Sequence, residues 1–443
     1  MNRLLVATAG VALAFGPSLG AQTARGGATD LPSPLDLRGA IGYALNHNYM
    51  VLQSRETIRL QEGVIVQVRA QEIPNVSGLG QYQRNEPSIS QLYPPSNSLW
   101  SVELKATQNI FAGGGIQSSI KNAKLARDAA AFDLQTTIDA ALLDVHTRFY
   151  SVILARKKIT VEEENVKLYQ HQLDDTKNQF ESGTVSNFEV LRAKVFLANA
   201  QPDLISARNS YRISIEQLRQ SIGAPGMTPF PEVVGDLDVV TANFDADAAI
   251  ESAHEHRPEL ARLVKLQSAG EETVRTARSA YYPNLQAFGG YEWDGVGYVN
   301  PIPGTPTTAN GWLLGLQSTW SIFDGRATDG KVRQAKSQLE QARLARASEE
   351  LEIDVEVRQA LSSLQSAGEL VTASQQTIEQ AAEALRLADA KFHAGSATQL
   401  DVLTSQVSLT QAKTDQLTAN YNYLVAVANV RKAVGMSDAL VVP

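Results

Sequence analysis

Two carboxylates occupy matching places in this chain: Glu189 stands six residues after Gly183, and Asp401 six residues after Gly395. An acid just past a helix-reversing glycine suits the first or second turn of the returning helix, where the macrodipole favours negative charge. Other residues that could do chemistry are sparse. Ser118 and Lys121 have Ser-x-x-Lys spacing, but the companion motifs of that chemistry are missing. Gly113-Gly114-Gly115 is not followed by Gly-Lys-Ser/Thr, so it is no phosphate loop. His254 and His256, at an expected helix start, would need two further ligands to hold zinc. There is no cysteine, which removes disulfides, thiolate metal sites and a lipidated N-terminal Cys. The expectation is no enzyme: no catalytic, cofactor-binding or metal-binding residue, and no cofactor.

The surroundings of the two acids are a duplication. Phe180-Glu181-Ser182-Gly183 through Leu191 reappears as Phe392-His393-Ala394-Gly395 through Leu403, 212 residues on. At the same offset Ile110-Phe111 returns as Ile322-Phe323, and Ile222-Gly223 as Val434-Gly435. Ile73-Pro74-Asn75-Val76 returns as Tyr282-Pro283-Asn284-Leu285 at an offset of 209. A repeat this long is a duplicated structural unit, well beyond a short solenoid period.

The elements that position the acids follow from periodicity. Ile116 to Ser182 contains neither Gly nor Pro, and such a run would make a helix about 100 Å long. Its counterpart, 331–394, is broken only by Gly368. Return helices are expected over 187–222 and 399–433. In the first, Val190, Leu197, Leu204, Tyr211 and Leu218 recur every seven residues beside Ala193, Ala200, Ala207, Ser214 and Ser221. Large and small stripes at that period mean closely packed coiled coil. Pro202 should bend this helix locally. An earlier helical pattern runs from Leu35 to Ile73 and ends at Pro74.

Between the helices the period changes to two. Trp100, Val102, Leu104, Ala106, Gln108 and Ile110 alternate with Ser101, Glu103, Lys105, Thr107 and Asn109, which predicts a strand with one apolar face. Strands are expected over about 76–83, 99–111, 285–293 and 312–323. All four tryptophans (Trp100, Trp293, Trp312, Trp320) fall in these expected strands. In a membrane barrel such residues gather at the lipid–water interfaces.

Composition narrows the class. A net charge of −8 argues against neutralising a nucleic-acid backbone, so no nucleic acid is expected as a partner. With 43% hydrophobic and only 7% aromatic residues, the chain favours long helices over a compact enzyme core. Residues 1–20 read as a signal peptide, 21–35 as a flexible leader. The first repeat then covers 36–223, a linker or equatorial region 224–244, the second repeat 245–435, and a C-terminal tail 436–443. No other stretch reaches the ~18 apolar residues of a spanning helix. If the strands enter a membrane, four cannot close a barrel, because small barrels need about eight. Open edges in lipid are forbidden. Three chains would give twelve strands.

The duplicated units, Tyr281-Tyr282-Pro283-Asn284-Leu285, the Ile-Phe-x-Gly exits and the Phe-x-x-Gly turns with their following acids resemble the TolC-type outer-membrane efflux family over essentially the whole mature chain. The resemblance implies a mainly α fold with β: a periplasmic α-barrel of coiled-coil helices and a shared 12-stranded transmembrane β-barrel. It implies a homotrimer in the cell outer membrane, a passive exit duct of a tripartite efflux or secretion system. That duct would dock a periplasmic adaptor (membrane fusion) protein and an inner-membrane pump and open at its periplasmic tip. The tip turns Gly183, Thr184, Val185 and Gly395, Ser396, Ala397 would receive the adaptor, although positive-φ glycines there also serve simple helix reversal. Glu189 and Asp401, repeated three times around a narrowing pore, would form the gate ring, since carboxylate rings bind cations. Trp100, Trp293, Trp312 and Trp320 would meet the membrane interface. Where one well-known member of that family carries an arginine and a second aspartate that form an Arg–carboxylate lock, this chain has Ala397 and Thr404, so other contacts must hold the closed tip. The competing reading is a soluble periplasmic coiled-coil scaffold or adaptor.

Overall fold

The computed structural model describes residues 31–226 and 229–436. The expected signal peptide, most of the leader and all but the first residue of the C-terminal tail lie outside them. Eight α-helices and four strands account for the described architecture. The first unit comprises α1 (Leu37–His47), α2 (Tyr49–Arg69), β1 (Asn75–Arg84), β2 (Ser96–Ala112), α3 (Gly115–Glu181) and α4 (Asn187–Ile222). The second comprises α5 (Ala246–His256), α6 (Pro258–Ser279), β3 (Asn284–Tyr298), β4 (Thr308–Thr319), α7 (Ala327–His393) and α8 (Gln399–Ala433). Both α3 and α7 are 67 residues long.

The two units bury the same positions. Ala40, Ile41 and Ala44 of α1 correspond, 209 residues on, to Ala249, Ile250 and Ala253 of α5. Val145, Val152, Leu218 and Ile222 correspond, 212 residues on, to Val357, Leu364, Val430 and Val434. Each set forms the core of its own unit at mid-height. The linker joins the first core: Val233 forms a parallel bridge with Leu35, and Val233 and Leu237 are buried with it.

Three expectations need correction. The helical pattern from 35 to 73 is two helices, broken at Asn48 (ψ 123°). Its carboxamide oxygen accepts from the backbone N–H of Met50 and Val51 while its Nδ2 donates to Ser221 O at 2.7 Å, so a buried polar cap replaces a helical turn. The second unit breaks at the matching Arg257, which pairs with Glu259 at 3.1 Å and Glu356 at 2.5 Å. Consequently His254 and His256 lie in the last turn of α5, not at a helix start. Third, β4 ends at Thr319, leaving Trp320, Ile322 and Phe323 beyond the strand, and β3 runs on to Tyr298. Asp324, which accepts from the Thr328 N–H and hydroxyl, prepares the turn into α7 instead. At the expected bend, α4 runs through Pro202 without a break.

Above and below the mid-height cores the chain is four elements wide. The sheet order is β1-β2-β3-β4, all antiparallel, with β1 and β4 as unpaired edges. Below it α2, α3, α6 and α7 pack in that order, and towards the tip the order becomes α4, α3, α8, α7. The outer elements carry exposed apolar side chains: Leu60 and Val66 on α2, Val195, Ile205 and Ile213 on α4, Leu344, Leu351 and Val355 on α7. No helix among the described residues is long and apolar enough to cross a membrane.

Candidate functional site: the sheet face and the helical tip

Register decides which residues share a face of the sheet. Tyr82 pairs with Trp100, Val102 with Gly80 and Trp293, Leu104 with Tyr291, Tyr291 with Trp312, and Gly289 with Leu314. One face is therefore apolar across all four strands, yet Tyr82, Trp312 and Leu314 are at least 70% exposed. An apolar face left this open in water is a contact surface awaiting lipid or protein. The opposite face carries Gln81, Ser101, Glu103, Lys105, Glu292 and Asp294.

Aromatics bracket that face. Trp100, Trp293 and Trp312 fall on successive levels near the strand ends remote from the helices. Trp100 lies across Gly295, where any Cβ would collide with its indole, so the glycine makes room for the ring. The Tyr291 ring lies against Trp293, centroids 4.4 Å apart and tilted by 48°. A second group stands at the helical end: Trp320, whose Nε1 donates to Tyr281 O at 3.1 Å, with exposed Tyr281, Tyr282, Phe111 and Phe323. Trp312 and Trp320 are eight residues apart, about 26 Å along an extended strand and about 20 Å if tilted, near the ~25 Å apolar band of an outer-membrane barrel.

At the far end of the long helices, both reversals use the same device. Gly183 (φ 79°) and Gly395 (φ 73°) adopt the left-handed conformation, and at each the space that a side-chain methyl would fill is open. The glycines are thus required by dihedral angle, not by crowding. Thr184 N donates to Gln179 O and Ser396 N to Lys391 O, closing the last turns. Thr184 and Ser396 are exposed, Val185 and Ala397 half-buried.

The two acids differ. Asp401 completes a capping box: its Oδ2 accepts from the Thr398 hydroxyl at 2.7 Å and the Thr398 N–H at 2.8 Å. These bonds, the hydroxyl first, hold its pKa below the ordinary aspartate value, so an exposed negative charge is secured. Glu189 pairs instead with Arg192 at 3.0 Å, and that guanidinium also lies over the Phe188 ring. Its charge is locally compensated. Moreover α3 packs between α4 and α8, so the two acids occupy different flanks of the tip.

Sequence reasoning missed what joins the two hairpins. Gln399, buried, donates to Thr176 Oγ1 of α3 at 2.5 Å; Thr410 donates to Asn165 at 3.2 Å; Lys413 pairs with Glu164 at 2.9 Å. Leu403 is buried with Tyr169, Leu173, Ala193 and Leu197. The polar partners are 223 to 249 residues apart, and no spacing signal links them. The histidines are accounted for structurally: His254 Nε2 lies 2.7 Å from Asp354 Oδ1, and His256 Nδ1 3.0 Å from Ser252 O.

The model of the outer membrane efflux protein family matches residues 40–224 and 249–436, one match per repeat. The chain belongs to that family. It is 25% identical to the outer membrane protein TolC of Escherichia coli (strain K12) over 356 residues, 76% of this chain and 69% of that one. Against TolC of Vibrio cholerae it is 23% identical over 372 residues, covering 83% of each. Among solved structures, the Campylobacter jejuni CmeC outer membrane channel superposes with a TM-score of 0.78 at 15% identity, over 90% of this chain and 85% of that one. Fold and family agree: this is an outer-membrane efflux channel with a long helical extension into the periplasm. Channels of this family work with periplasmic adaptors and inner-membrane pumps.

Proposed function

We propose that three copies of this chain close into one passive exit duct, with no catalytic step of its own. The carrying observation is the four-element width of the sheet and of the helices above and below the mid-height cores, ending in β1 and β4 as edges unpaired among the described residues and in apolar edges on α2, α4 and α7. Unpaired strand edges are not tolerated in lipid, and three four-stranded sheets supply a closed twelve-stranded barrel. The apolar sheet face meets lipid, the Trp100–Trp293–Trp312 group and Trp320 mark its two interfaces, and the polar face lines the bore. The turns at Gly183, Thr184, Val185 and at Gly395, Ser396, Ala397 dock the adaptor, through which the inner-membrane pump is joined.

Asp401, three times around the tip, forms the cation-binding ring, and its capping bonds keep it charged. Glu189 contributes less, because Arg192 answers its charge. With Ala397 and Thr404 in place of an Arg–carboxylate lock, the Gln399–Thr176, Thr410–Asn165 and Lys413–Glu164 contacts hold the α7–α8 hairpin against α3, and opening releases them.

The test is fractionation followed by electrophoresis with and without boiling. A heat-sensitive species of three chains in the outer membrane supports the duct. A monomer released with the soluble periplasmic contents would reject it in favour of a scaffold.

A further inference from the structure

The turns of α3 and α7 nearest the sheet are basic in an otherwise acidic protein. From Gly113 to Arg127 there is no acidic residue, but there are Lys121, Lys124 and Arg127. In α7, after Asp329 in its first turn, Lys331, Arg333 and Lys336 follow with no further acid as far as Leu339. The pattern is part of the duplication: Lys121 and Lys124 recur, 212 residues on, as Arg333 and Lys336. Lys121, Lys124, Lys331 and Lys336 are exposed and make no ion pair with any described residue. Arg333 shares one carboxylate, Asp329, with Arg326.

Helix geometry gives their direction. Gly115, Ser119 and Asn122 meet α6, the last two through Thr276, Ala269 and Thr273. A second buried arc, Ile116, Ile120 and Ala123, is left for α2, the other neighbour at this height. At 3.6 residues per turn the two arcs are about 100° apart on one side of α3 and about 260° on the other. Lys121 and Lys124 fall within the wider sector. In a closed ring of helices the wider sector faces outward. In α7, Val332 and Ala335 are the buried counterparts of Ile120 and Ala123, so Arg333 and Lys336 point the same way. The two lysines of α3 lie about 9 and 14 Å below the helix start, itself next to the Trp320–Tyr281 aromatics. Headgroups occupy about 5–7 Å beyond each hydrocarbon face, and long cationic stems reach back to such a layer.

We infer that Lys121, Lys124, Arg333 and Lys336 form an outward basic collar that binds the phosphates of anionic phospholipids in the periplasmic leaflet. The inference rests on the trimeric duct. Three copies place the basic pair six times around the barrel, directly continuous with the lipid-facing sheet. A cation at an anionic surface contributes about a fivefold factor in binding, reduced by salt. The collar would add an electrostatic anchor to the aromatic interface residues that seat the barrel at its depth.

The full-length oligomer in neutral detergent, incubated with phosphatidylglycerol or phosphatidylcholine and read by native mass spectrometry, tests this. The unaltered protein should retain phosphatidylglycerol at least about tenfold over phosphatidylcholine at low salt. K121Q/K124Q/R333Q/K336Q should remove the preference, and K121R/K124R/R333K/K336R should keep it. If the quadruple glutamine variant does not assemble, K121Q/K124Q and R333Q/K336Q separately should each lower it. Equal retention of the two lipids, or a preference that survives glutamine, overturns the collar. So does an altered ion preference of single channels with lipid retention unchanged, since the bases would then face the bore. Absence of any oligomer would instead count against the duct itself.

Discussion

Gln399→Ala isolates the contact that ties the second hairpin to the first. Gln399 is 6% and Thr176 1% exposed, and the hydrogen bond between them is direct. A buried neutral hydrogen bond contributes about 1 kcal/mol net. Thr176 keeps its own bond to Gln172 O, so the truncation leaves no orphaned hydroxyl hydrogen, and Ala suits the first turn of α8. If the three tips open together, the loss is about 3 kcal/mol per duct, on the order of a hundredfold in the open-to-closed ratio. The assay is single-channel recording in planar bilayers, after the heat-sensitive oligomer has been verified. Gln399→Ala should raise open probability or conductance, and Thr176→Val should do the same, with the leftover buried amide adding to its effect. Because the two residues contact each other, the double variant should gain less than the sum. Unchanged conductance in both single variants, or strictly additive effects, would refute the latch.

Asp401→Asn, which retains an acceptor for the cap, should weaken block by multivalent cations, whereas Thr398→Ala should preserve block at neutral pH. The capping contribution has a definite pH sign. Because the folded pKa of Asp401 is lowered from 3.8, its stabilisation is present above that value and lost as pH falls through the folded pKa, visible as acid-lability that Thr398→Ala reduces. Leu316→Arg, on the apolar face midway between Trp312 and Trp320, should cost about 2–4 kcal/mol near the midplane and reduce the outer-membrane oligomer, while Gln317→Arg on the opposite parity should be tolerated in the same fractionation. Gly395→Val forces a β-branched residue into the left-handed region at a cost of at least about 1–2 kcal/mol, and should impair export while insertion stays intact; normal export would remove the docking role.

Period and duplication were legible because they are local. A run without Gly or Pro announces α3, and heptad stripes announce α4, since helical hydrogen bonds close within four residues. Alternation after Trp100 announces β2 and its two faces for the same reason. The break at Asn48 was not legible, because the partner that stabilises it, Ser221 O, is supplied by α4. The end of β4 before Trp320 escaped a parity reading that Ile322 happened to continue.

The sequence by itself determined a duplicated chain of long helices and half-apolar strands. Tertiary structure decided how each charge is partnered and which contacts join the two hairpins. Glu189 and Asp401 are equivalent in the repeat, yet one is answered by Arg192 and the other is held by Thr398. Gln399 and Thr176 meet only because α8 lies along α3. Local periodicity specifies an element and its faces, while contacts between distant elements depend on how those faces pack.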